Sequence, residues 1–549
     1  MAATITQEKE YCRGAVIKNT AGPSIVLSFA FAGVAAFLSA LCYAEFGARY
    51  PKAGSAYTYA YVGCGEIWAF IIGWNVILEH MLGTAAVARS WSGYLDSLLS
   101  NRISNFTRYS IGKFGEEEWT MLREEFPSSK GSLIGIQPDI VAVFVIITAS
   151  CFIGAGSKAT TNFNTFFTIC NLSVISFVVF YGGTFIDFSN WEGVSSGGNH
   201  SRFLPYGMKG MLAGAASCFF AYNGFDGLAT AGEEAITPSI SLPRATYVSM
   251  VIVTIAYVLM SAVLSLMIPY EMMNPSAAFS DAFALVGTPW AKYVVAVGAL
   301  CGMTTSLIGG LFALPRCVYA MADDGLIFRW WARVDQRTQT PLNAVITFTA
   351  ITAIIAILFD VEALVDFLAI GTLMAYSIVA ASLIILRYEG QDSCQGRLRI
   401  SHHALYAICQ WKYSLHSALC VFIASVSLFG AILSSTSNWT FADYLMLIIT
   451  AITGVISLVF IDAYEQNDQG LAFKVPFVPY LPGLSIFINV LMMSHLNIMT
   501  WIRLAIWMTI GFIIYFLYGI SHSKEERRGA ERLSSTYSAG TASITETIS

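Results

Sequence analysis

The chain has 549 residues, of which 56% are hydrophobic and 12% charged, whereas a soluble domain carries about 25% charged residues. A soluble protein this apolar could not cover its surface, and a formal charge of −5 leaves no electrostatic footprint for nucleic acid. No phosphate-cradling glycine loop, dinucleotide fingerprint or HExxH pair occurs in a suitable context. The composition therefore reads as an all-α, polytopic membrane protein whose partner is the lipid bilayer, with no cofactor and no nucleic acid.

Residues 1–23 hold Glu8, Lys9, Glu10 and Arg13 without an apolar stretch ahead of a cleavage site, so they are not a signal peptide. A membrane helix needs roughly 17–25 mostly apolar residues. Thirteen stretches qualify: 24–44, 65–98, 138–155, 162–185, 207–231, 245–268, 290–322, 342–358, 363–386, 414–434, 442–462, 477–495 and 500–519. The second and seventh exceed a perpendicular crossing and should tilt or project from the bilayer. The organisation that follows is a core over 24–386, a loop over 387–413, four accessory spans over 414–519 and a Ser/Thr-rich tail over 520–549. The tail cannot bury a core and is expected to be disordered.

The 11 cysteines sit mostly in apolar runs, where they behave as small hydrophobes, and no CxxC spacing suggests a metal or disulfide framework. His402 and His403 lie in a loop without further ligands, so no metal is expected.

Orientation follows from two signals. With loop 46–64 placed in the cytoplasm, the cytoplasmic segments hold sixteen Lys and Arg and the opposite side nine, five of these in loop 99–137. The glycosylation acceptors Asn105, Asn199 and Asn438 all fall on the opposite side, which predicts a glycoprotein with a cytoplasmic C-terminus. A fourth match at Asn171 lies within a span and should stay unmodified.

Irregular backbone and ionisable groups at membrane depth mark either a function or a satisfied structural contact. Within 207–231 the run Phe219–Asp226 includes Asn223 and Gly224, both poor helix formers, and the ionisable Asp226. A helix unwound there exposes carbonyls near Tyr222 and Asn223 and N–H groups at the start of its second half. Such half-helices bind zwitterions; the alternative is a packing glycine with a hydrogen-bonded Asp226. Glu79 and Arg89 share 65–98. Glu79 suits a cationic substrate group or a satisfied structural role, and Arg89 is expected at the outer headgroups. The polar patches 44–57 and 316–325 read as structural or gating pairs at helix ends.

The strings AGPSIV (21–26), AEFGARYPKAGSAY (44–57), GWNVILE (73–79), VARSWSGYLDS (87–97), SCFFAYNGFD (217–226), PRCVYAMADDGLIF (315–328) and GTLMAYS (371–377) resemble the cationic amino acid transporters of the amino acid–polyamine–organocation superfamily. The WSGYLDS run and RTQTP at 337–341 most resemble the type 4 branch. The resemblance implies ten core helices in two inverted five-helix repeats and an amino acid substrate; no enzymatic activity is expected, because no nucleophile–base constellation lies on the cytoplasmic loops. It implies that backbone around Tyr222, Asn223 and Gly224 receives the α-amino group, that Phe225 helps gate it, and that Glu79 lies near the side-chain pocket. Asn171 aligns where some proton-coupled relatives carry a lysine, which favours facilitated diffusion.

One departure stands out. The family's glycine-rich broken first helix is not found, and four spans lie between 24 and 185 but five between 207 and 386. The sequence thus reads as a transporter lacking its first helix, an alternative isoform or an incomplete gene model. The leading expectation is transport of arginine, lysine or ornithine across the plasma membrane by alternating access, with a lysosomal membrane also compatible. The alternatives are a non-transporting or regulatory isoform, or a carrier of neutral amino acids or polyamines. Oligomeric state is not legible.

Overall fold

The computed structural model describes residues 16–52, 54–99, 102–103, 139–154, 157–193, 201–230, 235–273, 278–338, 340–359, 361–388, 414–435, 440–466, 473–496 and 498–524. Asn105, Asn199, Asn438, His402, His403 and the tail beyond residue 524 lie outside the described residues.

The described residues form helices and turns, with no strand element. In chain order the helices are α1 (Ile25–Arg49), α2 (Ala56–Cys64), α3 (Glu66–Leu98), α4 (Ile140–Gly154), α5 (Ser157–Gly182), α6 (Gly207–Phe219) and α7 (Asp226–Thr230). They continue with α8 (Pro238–Met267), α9 (Ala278–Leu285), α10 (Pro289–Asp323), α11 (Leu342–Leu358) and α12 (Val361–Tyr388). The last four are α13 (Ser414–Ser435), α14 (Phe441–Asp462), α15 (Tyr480–Ser494) and α16 (Ile498–Ile514). Among the described residues nine helical segments are long and apolar enough to cross a membrane, and α4, α11 and α15 are shorter apolar helices. A helix overlaps each of the thirteen expected spans. This is a multi-pass membrane protein.

The sequence pattern missed two short helices. α2 occupies what was expected to be a plain loop, because Tyr57, Tyr59 and Ala60 bury against α3 and α12. α9 likewise buries Phe279 and Phe283. α3 stays unbroken through 33 residues, a length of about 50 Å.

Helix lengths repeat in order. α1, α3, α4 and α5 have 25, 33, 15 and 26 residues, and α8, α10, α11 and α12 have 30, 35, 17 and 28. Corresponding members pack on each other, α1 on α8 and α3 on α10, while α12 packs on both α3 and α15. Glycine permits the closest approaches: a Cβ on Gly298 of α10 would lie 2.4 Å from Val174 of α5.

Arg89 stands at the C-terminal end of α11. Its Nη1 donates to the carbonyls of Ala356 (3.0 Å) and Phe359 (2.7 Å), satisfying orphan acceptors at the C-terminus of α11. The end of the bundle that carries Glu45, Glu66, Asp323, Arg387 and Lys524, termed the basal end, is held by ion pairs and hydrogen bonds.

Candidate functional site

Helix α6 stops at Phe219, a 3-10 turn takes up Phe220–Tyr222, and α7 begins at Asp226. The break is local chemistry: Gly224 stands at φ 114°, a conformation open to glycine and costly for other residues. Neighbouring helices re-satisfy much of the freed backbone, as membrane depth demands. The Tyr257 hydroxyl donates to the Ala221 carbonyl at 2.8 Å and the Ser55 hydroxyl to the Asp226 carbonyl at 3.0 Å. The Tyr222 hydroxyl in turn donates to the Phe29 carbonyl at 2.8 Å. The Ala221 and Asp226 oxygens, on either side of the Tyr222 and Asn223 carbonyls expected to be open, are thereby engaged.

Asn223 is the polar centre of the break. Its Nδ2 donates to Glu79 Oε1 at 2.7 Å and to Thr372 Oγ1 at 3.3 Å, and its Oδ1 accepts from the Tyr376 hydroxyl at 3.0 Å. The α3 helix delivers Glu79, which is buried; Thr372 and Tyr376 come from one face of α12. Beside this cluster the rings of Tyr43, Phe225 and Tyr376 pack together, with centroids 5.3 Å, 5.4 Å and 4.7 Å apart.

Two buried polar atoms here have no hydrogen-bond partner among the described residues: the Tyr43 hydroxyl and Asp226 Oδ1. A buried polar group without a partner is costly. Neither Glu79 nor Asp226 forms an ion pair among the described residues. Two buried carboxylates, an aromatic wall and an interrupted helix therefore surround one region. That arrangement suits a cation with additional hydrogen-bonding groups, because aromatic faces and carboxylates both attract positive charge.

Tyr222, Asn223, Gly224, Phe225 and Asp226 thus lie on one broken segment, and Glu79 bonds to it directly. Asn171 is buried on α5 and carries no charge; α5 packs on α10. Sequence reasoning passed over Tyr43, Ser55, Tyr257, Thr372 and Tyr376. Thr372 and Tyr376 had a legible signal, since residues four apart in GTLMAYS share a helix face.

The family model described as amino acid permease matches residues 14–455, and the one described as the C-terminus of amino acid permease matches 473–523. The chain is 40% identical to "Cationic amino acid transporter 4" of Homo sapiens, covering 95% of this chain and 86% of that protein. It is 38% identical to the Mus musculus protein of the same name, covering 94% and 84%. It is 34% identical to "Cationic amino acid transporter 1" of Arabidopsis thaliana, covering 92% and 78%.

Proposed function

This chain belongs to the amino acid permease family, in the type 4 branch of its cationic amino acid transporters, and from that membership we propose that it carries arginine, lysine and ornithine across the plasma membrane by alternating access. The observation that carries the substrate charge is the hydrogen bond between Glu79 and Asn223, which sets a carboxylate against the interrupted helix. In this reading the backbone of Tyr222–Gly224 receives the α-amino group. Glu79 and Asp226 face cationic groups, and Tyr43, Phe225 and Tyr376 wall the side chain. The matched helix lengths of the two halves support an inverted repeat, with one bundle rocking about the break. Asn171, neutral on α5, favours facilitated diffusion over proton coupling.

The excess of Lys and Arg at the basal end supports a cytoplasmic basal end and C-terminus. Asn105, Asn199 and Asn438 then face outward as glycosylation sites. A C-terminal epitope reached only after permeabilisation is the expected result, and one reached on intact cells would reverse the orientation.

The transport test uses the purified chain in sealed vesicles with labelled arginine and leucine. Saturable arginine uptake is expected. A charge-assisted contact is worth about 1.5–3 kcal/mol, so Glu79→Gln should raise the arginine KM roughly ten- to a hundredfold while leaving any leucine uptake little changed. An equal effect on both substrates would remove Glu79 from the pocket. No saturable uptake would overturn transport by this chain.

A further inference from the structure

The chain does not leave the bundle after α16. A π turn over Tyr515–Gly519 and a last turn over Ile520–His522 carry it across the basal end. There Ser523 is buried. Its hydroxyl donates to Glu66 Oε2 at the start of α3, and the Tyr515 hydroxyl donates to Glu66 Oε1 at 3.1 Å. The Lys524 amide donates to the Asp324 carbonyl at 3.0 Å, and its Nζ lies 2.5 Å from Asp323 Oδ2. Arg329 Nη2 donates to the His522 carbonyl at 3.0 Å.

This clasp is coupled to the candidate site by a short chain of contacts. Asp324 Oδ2 accepts from the Tyr57 hydroxyl at 2.7 Å, and two residues before Tyr57 the Ser55 hydroxyl holds the Asp226 carbonyl. The clasp therefore bears on the same segment that buttresses the second half of the broken helix.

Ser523 is followed by Lys524, Glu525 and Glu526. A glutamate three positions after a serine is the pattern that acid-directed serine/threonine kinases read. We propose that Ser523 is a phosphorylation site, reached when the last turn opens transiently, and that its phosphate then holds the clasp open. The kinase transfers the γ-phosphoryl group of ATP to Ser523 Oγ. The Oγ–P bond forms, the bond from the γ-phosphorus to the bridging oxygen breaks, ADP leaves and the hydroxyl proton is released. The donor to Glu66 is thereby lost, and a charge of about −1.5 to −2 takes its place against a carboxylate. Repulsion and desolvation then both favour release. Among the described residues, Lys524 is already engaged by Asp323 and Asp324, and Arg329 donates to the His522 carbonyl.

The inference rests on the proposed orientation, which puts Ser523 in the cytosol. The test is independent of sidedness. The purified full chain in detergent is treated with casein kinase 2 and ATP, phosphate is mapped by mass spectrometry, and hydrogen exchange is followed over 322–326 and 521–524. Phosphate on Ser523 is expected, with exchange in both segments at least tenfold faster. Ser523→Glu should reproduce the acceleration, Ser523→Ala should change it less than threefold, and Glu66→Gln in the Ser523→Glu background should return it to within threefold of the unmodified protein. Absence of phosphate at Ser523, unchanged exchange, or slower exchange from capture of the phosphate by Arg329 would each overturn the proposal. A C-terminal epitope found outside intact cells would overturn the orientation and with it phosphorylation of Ser523 in the cell, whereas the detergent experiment alone decides whether the phosphate opens the clasp.

Discussion

Arg387 grips Glu45 with two parallel hydrogen bonds, Nε to Oε1 at 2.7 Å and Nη2 to Oε2 at 2.9 Å, across 342 positions of sequence. The carboxylate is fully buried and the guanidinium nearly so, 0% and 2% exposed. Glu45 also accepts from the Val475 amide at 2.7 Å and lies 3.3 Å from Arg49. One carboxylate thus joins α1, α12 and the segment leading into α15.

Removing Arg387 leaves the buried carboxylate with Arg49 and the Val475 amide, and breaking a buried pair from one side costs up to about 3–5 kcal/mol. Arg387→Met should destabilise the protein on that scale, while the double variant Glu45→Gln, Arg387→Met should lose distinctly less. Thermal unfolding in detergent reads both, and equal losses would show that the carboxylate left without Arg387 carries no penalty of its own.

Tyr376 orients Asn223 through its hydroxyl and Phe225 through its ring. Tyr376→Phe keeps the ring and removes one hydrogen bond, worth about 0.5–1.5 kcal/mol. The arginine KM should rise by at most about tenfold, with melting temperature nearly unchanged. A large loss of stability with an unchanged KM would make Tyr376 a core residue only.

Gly298 has no room for a side chain against Val174, whose Cγ1, Cβ and Cγ2 lie 2.4–2.6 Å from an added Cβ. Overpacking of this kind costs about 1–3 kcal/mol. Gly298→Ala should lower stability by that amount, and adding Val174→Ala should recover part of it. No recovery would place the clash elsewhere than between α5 and α10.

Asp335 closes the turn before α11. Its Oδ2 accepts from the amides of Thr338 and Arg337, both at 3.0 Å, and from the Thr338 hydroxyl. Those amides hold its carboxyl below the usual carboxylate range. A lowered folded value means the turn is favoured above the ordinary aspartate range and weakened as pH falls through the lowered value. Hydrogen exchange at the Arg337 and Thr338 amides, corrected for intrinsic rate, should stay slow down to the ordinary aspartate pKa and quicken below it. Asp335→Asn should remove the pH dependence, and an unchanged profile in that variant would exclude the carboxylate.

Much of this was written in the chain itself. Apolar runs of membrane length located the long helices, because lipid leaves backbone polar groups no partner outside a helix. Asn223 and Gly224 announced the break, because both resist helix and only glycine takes a positive φ without strain. The clustering of Lys and Arg at helix ends was equally plain. What the linear order could not hold was which faces meet. Glu79 touches Asn223 across 144 positions, Tyr376 reaches it across 153, and Arg387 finds Glu45 across 342. Each pairing depends on the rotation of two helices about their axes and on how closely small residues let them approach. Arg89 shows the same limit from the other side. Its place in the sequence suggested the outer membrane surface, and the packing of α11 against α3 supplied what the linear order could not, two carbonyls within its reach.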